Sequence, residues 1–508
     1  MNVTFRADAS IEIGTGHVMR CLTLAQALGA AGVRCSFITR ELPGHLAERI
    51  ERAGFAVKTL PPPSVIRAPS APWASVGWQQ DAAETTAALD PLPDWLVLDH
   101  YGLDARWQRA VMQNRKLRLM VIDDLADRPH HCTVLLDQNL GRRSEDYDAL
   151  VPKDCTRLIG PDYALLRPEF AERRAQALAR RAGRGLQHLL ITIGGSDPRD
   201  ATSAVLQALQ NAALPAQMRI TVVMGAQAPA LERVRMLASA LPWAAVVVVD
   251  VNDMAARMQD ADLAIGAGGA TTWERCALGL PSIVVQIAEN QSGIARAMVE
   301  AGAALDPGPV AAPDFAPRLR AALAEAQARL LPLSERAAQV CDGDGLGRVV
   351  SRLLPAKLGF RPAQLADSRR IWDWRAASGL EQFSLSGQLT PYPEHHIWFT
   401  RALDAPTHVF RILLLGEWPC GYLRLDQEAA ECARVSICLA PDARGQGLSA
   451  ALLREAERLG HQLKADRLHA EIHPQNVASL RCFEQAGYAR GADCGAFRTY
   501  QLDLGKGP

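Results

Sequence analysis

Gly14-Thr15-Gly16-His17-Val18-Met19-Arg20 joins a short aliphatic run, Val3-Thr4-Phe5, to a segment with the apolar spacing of a helix, Val18 to Ala30. Glycines in such a strand-to-helix turn let a ligand approach the backbone closely, and the start of a helix favours a phosphate or a developing anion. His17 stands at this turn, where an imidazole could take a proton from water. The stretch predicts an α/β fold with a catalytic histidine, against the plainer alternative that His17 only caps or packs.

The same alternation of aliphatic runs and helical segments continues through the first 340 residues. It predicts parallel sheets covered on both faces, and the series starts afresh after the polar segment Arg173 to Arg184. We therefore predict two Rossmann-like domains, residues 1–165 and 166–350, with a cleft between them suited to a nucleotide. The further predicted strands are Cys35–Ile38, Trp95–Leu98, Leu119–Ile122, Leu189–Ile193, Ile220–Met224, Ala245–Val249, Leu263–Ile265 and Ile283–Val285.

A third pattern follows a Pro- and Gly-containing segment, residues 351–361, which we predict to be a linker. Residues 362–508 then predict an α+β domain of antiparallel strands followed by two helices. The predicted elements are strands Val409–Leu415, Gly421–Leu425, Arg434–Leu439 and Arg467–Ile472, and helices Leu448–Leu459 and Asn476–Ala486.

Composition excludes several classes of protein. Lys plus Arg and Asp plus Glu each number 55, so no overall charge favours nucleic acid or an anionic membrane. The eleven cysteines form no CxxC pair and no His–Cys cluster at metal-ligand spacing, which predicts reduced thiols and no metal site. No leader-like segment or membrane-length apolar run is present, so the chain is expected to be cytoplasmic, with its oligomeric state open.

A second glycine-rich turn, Gly266 to Thr272, follows a predicted strand and opens a helix. Its amides and hydroxyls could hold phosphate oxygens, and Glu274 could reach ribose hydroxyls; a tight turn with a capping threonine is the alternative. Gly194 to Asp197 is a similar loop. The residues assigned to the ligand in these segments are Gly268, Gly269, Thr271, Thr272, Glu274, Gly195 and Ser196, together with Asn290 and Gln291, which could instead bond at the surface.

Several motifs together resemble a known family. They are Arg6-Ala7-Asp8, Ile13 to Leu22, Asp99-His100-Tyr101-Gly102, Asp123-Asp124, Asp137-Gln138-Asn139, Gly160 to Arg167, Gly194 to Asp197, Gly266 to Arg275 and Asn290-Gln291. Over residues 1 to 310 this set is similar to the UDP-sugar hydrolases of pseudaminic acid biosynthesis.

The resemblance implies a two-domain glycosyltransferase-B-like fold and metal-independent hydrolysis of UDP-2,4-diacetamido-2,4,6-trideoxy-L-altrose to UDP and free sugar. His17 would activate water for attack at the anomeric carbon, with inversion. Asp8, Arg20 and Tyr101 could position the sugar or orient His17. Alternatively, Asp8 and Arg20 form a structural ion pair and Tyr101 caps a strand end. Arg6, Gly14 and Gly16 complete the residues assigned to the substrate.

The segment Pro441 to Ser449 follows a predicted strand and precedes a helix, so its amides could wrap a pyrophosphate. It resembles the acetyl-CoA arm of the GNAT superfamily of N-acetyltransferases over residues 362–503, with a mild departure at Ser449. The resemblance implies acetyl-CoA as co-substrate. The residues assigned to it are Arg444, Gly445, Gln446, Gly447, Leu448, Ser449 and Asn476.

Catalytic groups are less distinct in this last domain. The family often places a tyrosine donor where this chain has Phe483, which cannot donate a proton. Tyr488 could replace it or belong to the core. Glu471 and His473 leave a predicted central strand and are alternative candidates for the base that deprotonates the acceptor amine.

The two resemblances suggest consecutive reactions. Acetylation of the 4-amino group of a UDP-altrose precursor would make the substrate that the hydrolase cleaves. A UDP-sugar glycosyltransferase, a hydrolase of a related bacillosamine- or legionaminic-type nucleotide sugar, and a non-enzymatic nucleotide-sugar sensor remain the alternatives.

Overall fold

The computed structural model describes residues 1–63, 76–288, 291–354, 358–377, 383, 388–416, 418–429 and 431–505. They divide into two compact units, Met1–Leu353 and Leu354–Pro508. No helix in these ranges is long and apolar enough to cross a membrane.

The first sheet has seven parallel strands in the order β3-β2-β1-β4-β5-β6-β7. Strands β4 and β6 are buried at every residue, as expected for parallel strands that helices cover on both faces. The elements are β1 (Asn2–Ala7), α1 (Gly16–Ala30), β2 (Arg34–Arg40), α2 (Ala47–Arg52), β3 (Ala56–Leu60), α3 (Trp78–Ala88), β4 (Trp95–Asp99), α4 (Ala105–Met112), β5 (Arg118–Ile122), β6 (Val134–Asp137) and β7 (Thr156–Ile159).

The second sheet has six parallel strands in the order β10-β9-β8-β11-β12-β13. Its elements are α5 (Pro168–Arg181), β8 (His188–Thr192), α6 (Ala201–Leu209), β9 (Arg219–Met224), α7 (Leu231–Ser239), β10 (Ala244–Val249), α8 (Met254–Asp260), β11 (Leu263–Ala267), α9 (Thr271–Ala277), β12 (Ser282–Val285), α10 (Ser292–Glu300), β13 (Ala304–Leu305), α11 (Phe315–Ala328) and α12 (Leu330–Val340). The predicted α/β class is confirmed by this alternation.

The last helix of the first unit, α13 (Gly345–Leu353), returns to the first sheet. It packs against α1, and Trp95 Nε1 donates to the carbonyl of Leu353 at 3.1 Å. A Cβ at Gly345 would lie 2.5 Å from the backbone of Ala164, so only glycine permits this close approach. The predicted domain 166–350 therefore ends in a helix that packs against the predicted domain 1–165.

The third sheet lies in the second unit and has the order β14-β15-β16-β17-β18-β20-β19. Its strands pair antiparallel except β17 and β18, which are parallel and pair only from Cys432 to Arg434. The elements are β14 (Leu358–Pro362), α14 (Asp367–Ala376), α15 (Tyr392–Asp404), β15 (His408–Leu415), β16 (Trp418–Ala429), β17 (Cys432–Leu439), α16 (Ser449–Gln462), β18 (Arg467–Ile472), α17 (Val477–Gln485), β19 (Ala489–Arg490) and β20 (Arg498–Asp503).

The segment 351–361, predicted to be a linker, differs from that description at both ends. It begins within α13 and ends within β14, which is the edge strand of the third sheet. Phe360 packs against the core of that sheet. The predicted linker therefore includes residues of both elements, and its residues 355–357 lie outside the described residues.

Candidate active sites

His17 lies in the first turn of α1, facing the carboxyl end of β4. Its Nδ1 is 2.6 Å from Oδ1 of Asp99, the last residue of β4, and Asp99 has no exposed surface. Burial alone would raise the pKa of Asp99, but the neighbouring Arg20 guanidinium and His17 hold that pKa well below its ordinary value. Asp99 is therefore an anion that accepts the Nδ1 proton of His17 and fixes its tautomer.

Arg20, one turn further along α1, ties this pair to a second carboxylate. Its Nε is 2.6 Å from Asp99 Oδ2, and its Nη2 is 2.8 Å from Asp124 Oδ2. Tyr101 donates to the same Asp124 oxygen at 2.5 Å, and its ring meets His17 edge-on at 4.6 Å. Burial, reinforced by Asp124, raises the pKa of Tyr101, so its hydroxyl remains a donor. Tyr101 therefore positions its neighbours and does not act as a base.

A cleft in the first unit brings these side chains beside the second sheet. One cavity of about 430 Å³ and another of about 910 Å³ share Gly16, Tyr101 and Gln291 in their walls. Predicted site residues in the smaller cavity's wall are Gly16, His17, Arg20, Tyr101, Gly268, Gly269 and Gln291; those in the larger one's are Gly14, Gly16, Tyr101, Gly195, Ser196 and Gln291. The structure thus assembles predicted residues from both halves of the sequence around one cleft.

Arg6 and Asp8, assigned to the substrate from the sequence, lie beneath this cleft. Both are fully buried, with Arg6 Nη1 2.6 Å from Asp8 Oδ1. Asp8 also accepts from the backbone amide of Arg40 and pairs with His100 at 3.3 Å. The described contacts of Arg6 and Asp8 are thus to buried neighbours, and their assignment to the substrate stays a prediction. The alternative Asp8–Arg20 ion pair is not formed, since Arg20 bonds Asp99 and Asp124.

The threonines of the second glycine-rich turn face inward. Thr272 is fully buried, with its hydroxyl 3.4 Å from the carbonyl of Ala267, and both Thr271 and Thr272 accept hydrogen bonds from Arg275. Burial raises the pKa of the Glu274 carboxyl to about 7, although Arg167 and Arg275 oppose the shift. In this turn Gly268 and Gly269 line the cleft. The hydroxyls of Thr271 and Thr272 do not line it and accept hydrogen bonds from Arg275 instead. Asn290 lies outside the described residues.

Sequence reasoning missed several polar residues of the site. Asp99, Asp124, Gln138, Asn139 and Arg142 stand at or just beyond the carboxyl ends of β4, β5 and β6, and all but Asp99 line the smaller cavity. The motifs that contain the first four supported the family resemblance, yet no role was assigned to them. The available signal was position, because the carboxyl ends of parallel strands form the binding edge of such sheets.

Arg142 is anchored to a carboxyl group with unusual ionisation. Its Nε is 2.8 Å from Asp137 Oδ2, and Tyr147 Oη is 2.8 Å from that oxygen. Burial, with help from the nearby charge of Asp124, raises the pKa of Asp137 to about 6. Arg142, which lines the cleft, is therefore bonded to a carboxyl whose pKa lies close to neutral pH.

The glycine-containing loop of the second unit joins β17 to α16. Gly445 and Gly447 have φ of +72° and +73°, and no atom lies within 4 Å of where a Cβ would stand on either. Gln446 donates from its side chain to the carbonyl of Asp442 at 2.8 Å, which closes the loop on itself. β17 pairs with β18 only from Cys432 to Arg434. The loop follows the other end of β17, after Leu439, where β18 is not paired with it. Arg444, Leu448 and Ser449, which the sequence also assigned to acetyl-CoA, lie in the same segment, with Ser449 the first residue of α16.

The candidate catalytic side chains of the second unit are not bonded to one another. Glu471 approaches Arg434 at 3.7 Å, and His473 Nδ1 accepts from the amide of Gln475 at 3.3 Å. Tyr488 is buried with its ring 4.9 Å from Phe483, and its hydroxyl finds no hydrogen-bond partner within the described residues.

Asn476, assigned to acetyl-CoA, caps α17. Its side chain accepts from the amide of Ser479 at 3.2 Å. This is a structural role that Asn commonly takes at the start of a helix. Across the described ranges, no group of three or more His, Cys, Asp or Glu side chains is placed to hold a metal ion.

Family models match two parts of the chain. Residues 370–488 match the acetyltransferase (GNAT) family, and residues 188–306 match the glycosyltransferase family 28 C-terminal domain. The first match lies in the second unit, and the second match covers every strand of the second sheet.

Two curated proteins are similar to the amino-terminal part. The spore coat polysaccharide biosynthesis protein SpsG of Bacillus subtilis is 30% identical over 321 residues, covering 61% of this chain and 84% of that protein. The UDP-2,4-diacetamido-2,4,6-trideoxy-beta-L-altropyranose hydrolase of Campylobacter jejuni is 26% identical over 209 residues, covering 41% of this chain and 66% of that protein. The match to the second relative thus spans slightly less than two thirds of its length. With the family models, these matches confirm both resemblances inferred from the motifs.

The solved structure of MurG from Acinetobacter baumannii has a similar fold. Its TM-score is 0.52 at 16% sequence identity, and the match covers 69% of this chain and 99% of the MurG chain. At this identity the similarity concerns the fold alone. It confirms the predicted glycosyltransferase-B type for the two-sheet unit.

Proposed function

Because this chain belongs to the family of the Bacillus subtilis protein SpsG and also carries a GNAT-family domain, we propose that it is a bifunctional nucleotide-sugar enzyme. The two-sheet unit hydrolyses a UDP-linked amino sugar, and the second unit acetylates an amino group of its precursor with acetyl-CoA. The observation that carries the proposal is the Asp99–His17 pair, in which Asp99 is buried and His17 lies in the wall of a glycine-lined cleft.

Hydrolysis needs a base that is held in one orientation. With the Nδ1 proton of His17 donated to Asp99, Nε2 is the nitrogen that accepts a proton from water. The water oxygen then forms a bond to C1 of the sugar while the bond from C1 to the phosphate oxygen breaks, and UDP leaves. Asp99 remains an anion throughout, because Arg20 stabilises its charge.

Stabilisation of the leaving diphosphate supplies the rest of the rate. A general base contributes about 10² to 10⁴ in rate, so alignment and charge stabilisation must account for more. Gly195 and Ser196 on one side and Gly268 and Gly269 on the other present backbone to the cleft without bulky side chains. We assign the diphosphate to these turns and the ribose hydroxyls to Glu274.

The substrate we propose is UDP-2,4-diacetamido-2,4,6-trideoxy-β-L-altrose, the compound that gives the Campylobacter relative its name. The products would be UDP and the free sugar, an intermediate of pseudaminic acid synthesis. Gln138 and Asn139, which line the smaller cavity, offer amide groups suited to acetamido substituents.

The second unit would supply that substrate. It would acetylate the 4-amino group of the UDP-trideoxy-altrose precursor, with the pyrophosphate of acetyl-CoA held by the loop from Arg444 to Ser449. Glu471 or His473 would take the proton from the amine, and Tyr488 would protonate the departing thiolate. The unbonded, buried hydroxyl of Tyr488 supports this assignment, because such a group is costly unless a ligand meets it.

A UDP-sugar glycosyltransferase is the second candidate for the two-sheet unit. The match to glycosyltransferase family 28 and the MurG-like fold favour it. A transferase would pass the sugar to an acceptor hydroxyl in place of water, so its turnover would depend on that acceptor.

The test combines the 4-amino UDP-sugar, acetyl-CoA and ¹⁸O-labelled water, with products identified by mass spectrometry and NMR. We expect one acetyl group on the sugar, one label in its C1 hydroxyl and unlabelled UDP. Label in the phosphate would mean attack at phosphorus. No turnover until an acceptor is added would establish the transferase instead.

A further inference from the structure

Arg275 is a buried cation behind the glycine-rich turn of the cleft. It has no exposed surface, and its guanidinium donates to three neutral oxygens: the carbonyl of Ala267 at 3.0 Å and the hydroxyls of Thr272 at 3.0 Å and Thr271 at 3.3 Å. Its Nε finds no hydrogen-bond partner in the described part of the chain. Burial lowers the pKa of Arg275 to about 10, which still leaves it charged at neutral pH.

The guanidinium of Arg275 packs directly against strand β11 of the second sheet. A Cβ on Gly266, in the buried strand β11, would lie 2.2 Å from Arg275 Nη1 and 2.9 Å from its Cζ. The guanidinium therefore occupies the space of a side chain in a central strand. A glycine in such a strand weakens it, so the arrangement has a cost to the fold.

Two other buried arginines of this half have an ordinary structural explanation. Arg181 donates to the carbonyls of Met258 and Leu278, which lie at the carboxyl ends of α8 and α9. Arg174 likewise donates to Ala277, and basic side chains are favoured at such helix ends. Arg275 instead bonds the turn that lines the cleft.

The charges elsewhere in the cleft are already balanced or open to water. Arg20 is paired with Asp99 and Asp124, and Arg142 with Asp137. Arg296 lines the smaller cavity but is exposed, so solvent screens its charge. Arg275 has no exposed surface, and a charge that is removed from solvent acts more strongly on a nearby anion.

We propose that Arg275 is a positioning residue whose charge, acting through the turn from Ala267 to Thr272, selects and holds the diphosphate of the nucleotide. This inference rests on the proposed function for the location of the nucleotide. It adds a reason why a nucleoside diphosphate is preferred over an uncharged nucleoside. No carboxylate within the described residues is hydrogen-bonded to Arg275, although the neighbouring Glu274 carboxyl raises its pKa slightly, and the nucleotide's negative charge would compensate this cation further.

The experiment measures the affinities of UDP, UMP and uridine by calorimetry for the wild-type chain and three variants. Arg275→Gln keeps hydrogen-bond donors but removes the charge, and Arg275→Lys keeps the charge. Arg181→Gln is the matched control, because it removes a buried arginine that bonds only carbonyls.

Arg275→Gln should weaken UDP binding roughly 30-fold, weaken UMP binding less and leave uridine within about twofold. Arg275→Lys should keep most of the preference for UDP over uridine. Arg181→Gln should lower the melting temperature without changing that preference. Added salt should change the UDP affinity of Arg275→Gln and of the wild-type chain to a similar extent, because salt screens a buried charge much less than an exposed one.

The inference is overturned if Arg275→Gln weakens UDP and uridine equally, if it leaves UDP binding unchanged, or if the wild-type chain does not prefer UDP to uridine. If Arg275→Gln fails to fold, the UDP-to-uridine affinity ratio of Arg275→Lys decides. Binding that follows the expected pattern in a chain that does not hydrolyse the UDP-sugar would sink the proposed hydrolysis alone.

Discussion

Two glycine-containing loops of this chain, from Gly14 to Gly16 and from Gly445 to Gly447, stand in different surroundings. Around the first, His17, Asp99, Arg20, Asp124 and Tyr101 form one hydrogen-bonded network that joins two strand ends to a helix. In the unit that contains the second, the candidate catalytic side chains Glu471, His473 and Tyr488 are not bonded to one another, while the glycines of both loops face open space.

The chemistry explains this difference. Water is a poor nucleophile, so attack on a sugar carbon needs a base whose tautomer and direction are fixed beforehand. A thioester is already reactive and an amine already nucleophilic once deprotonated, so an acetyltransferase depends more on holding the two substrates together. We therefore expect the first site to depend on individual side chains and the second on backbone conformation.

His17→Ala should have the largest effect. Loss of the base should lower kcat for UDP-sugar hydrolysis about 10³-fold, within the range for a general base, while UDP affinity changes less than about threefold. Acetyl-CoA consumption by the same chain should not change, which also controls for folding. His131→Ala is the matched histidine control, since His131 lies outside the network. Unchanged hydrolysis would refute the role of His17.

Asp99→Asn should lower the same kcat about 10²-fold, because an amide can donate to Nδ1 and so favours the wrong tautomer of His17. The double variant His17→Ala/Asp99→Asn should be no slower than His17→Ala, since the two residues act as a unit. The measurement is a pH profile of kcat for each variant. If the losses in kcat of the two single variants instead add up in the double variant, Asp99 does not act through His17. The first site would then depend less on this pair of side chains than we expect.

The sequence identified His17 and the glycine turns because both depend on local signals: a strand, a turn and a helix in succession. It missed Asp99 and Asp124 as site residues because their role arises from strand order. β4 lies next to β1 although some ninety residues separate Asp99 from Ala7, its partner in register. The same reason explains Arg6 and Asp8, whose motif matched a family while their side chains face inward to Asp81 and His100.

Most of the apolar strands were predictable. Each predicted strand is present with its ends within two residues, except Gly421–Leu425, which is the middle of the longer β16. β3 was missed and is largely exposed, β6 was missed although it is buried at every residue, and β7, β13, β19 and β20 were not predicted either. β14 was missed because it follows directly on a proline-containing segment. Its pairing with β15 comes from contacts distant in sequence.

Gly447→Val tests the second loop. A branched side chain at φ of +73° costs about 1–2 kcal/mol in backbone strain, so the loop should change conformation. We expect KM for acetyl-CoA to rise roughly 10-fold with hydrolysis unchanged, measured as thiol release. Gly359→Ala is the control, because that strand glycine has no positive φ and its nearest neighbour to a Cβ is 4.0 Å away. If Gly447→Val had no effect, the loop's backbone would not be what holds acetyl-CoA.

The smallest effect that we expect is on stability. It distinguishes two carboxyl groups of the first site, those of Asp137 and Asp99. Burial raises the pKa of Asp137 to about 6, so the folded chain binds this proton more tightly than the unfolded chain does. Below about pH 4 both states are protonated and the group is neutral in its effect. Between about pH 4 and pH 6 the unfolded chain ionises first, and the free energy of unfolding falls by an amount on the order of 3 kcal/mol at most.

Asp137→Asn removes that loss, so it should raise the free energy of unfolding at pH 7.5 by about 1–3 kcal/mol and have little effect near pH 4. Asp99→Asn should behave oppositely, because the pKa of Asp99 is lowered on folding and its contribution is present above the unfolded pKa. Urea denaturation at both pH values measures each difference. Opposite signs of the two changes in the free energy of unfolding would mean that the site contains one carboxylate that stabilises the fold and one that destabilises it. A loss of stability at pH 7.5 in Asp137→Asn would instead mean that its bonds to Arg142 and Tyr147 outweigh the cost of burying its charge.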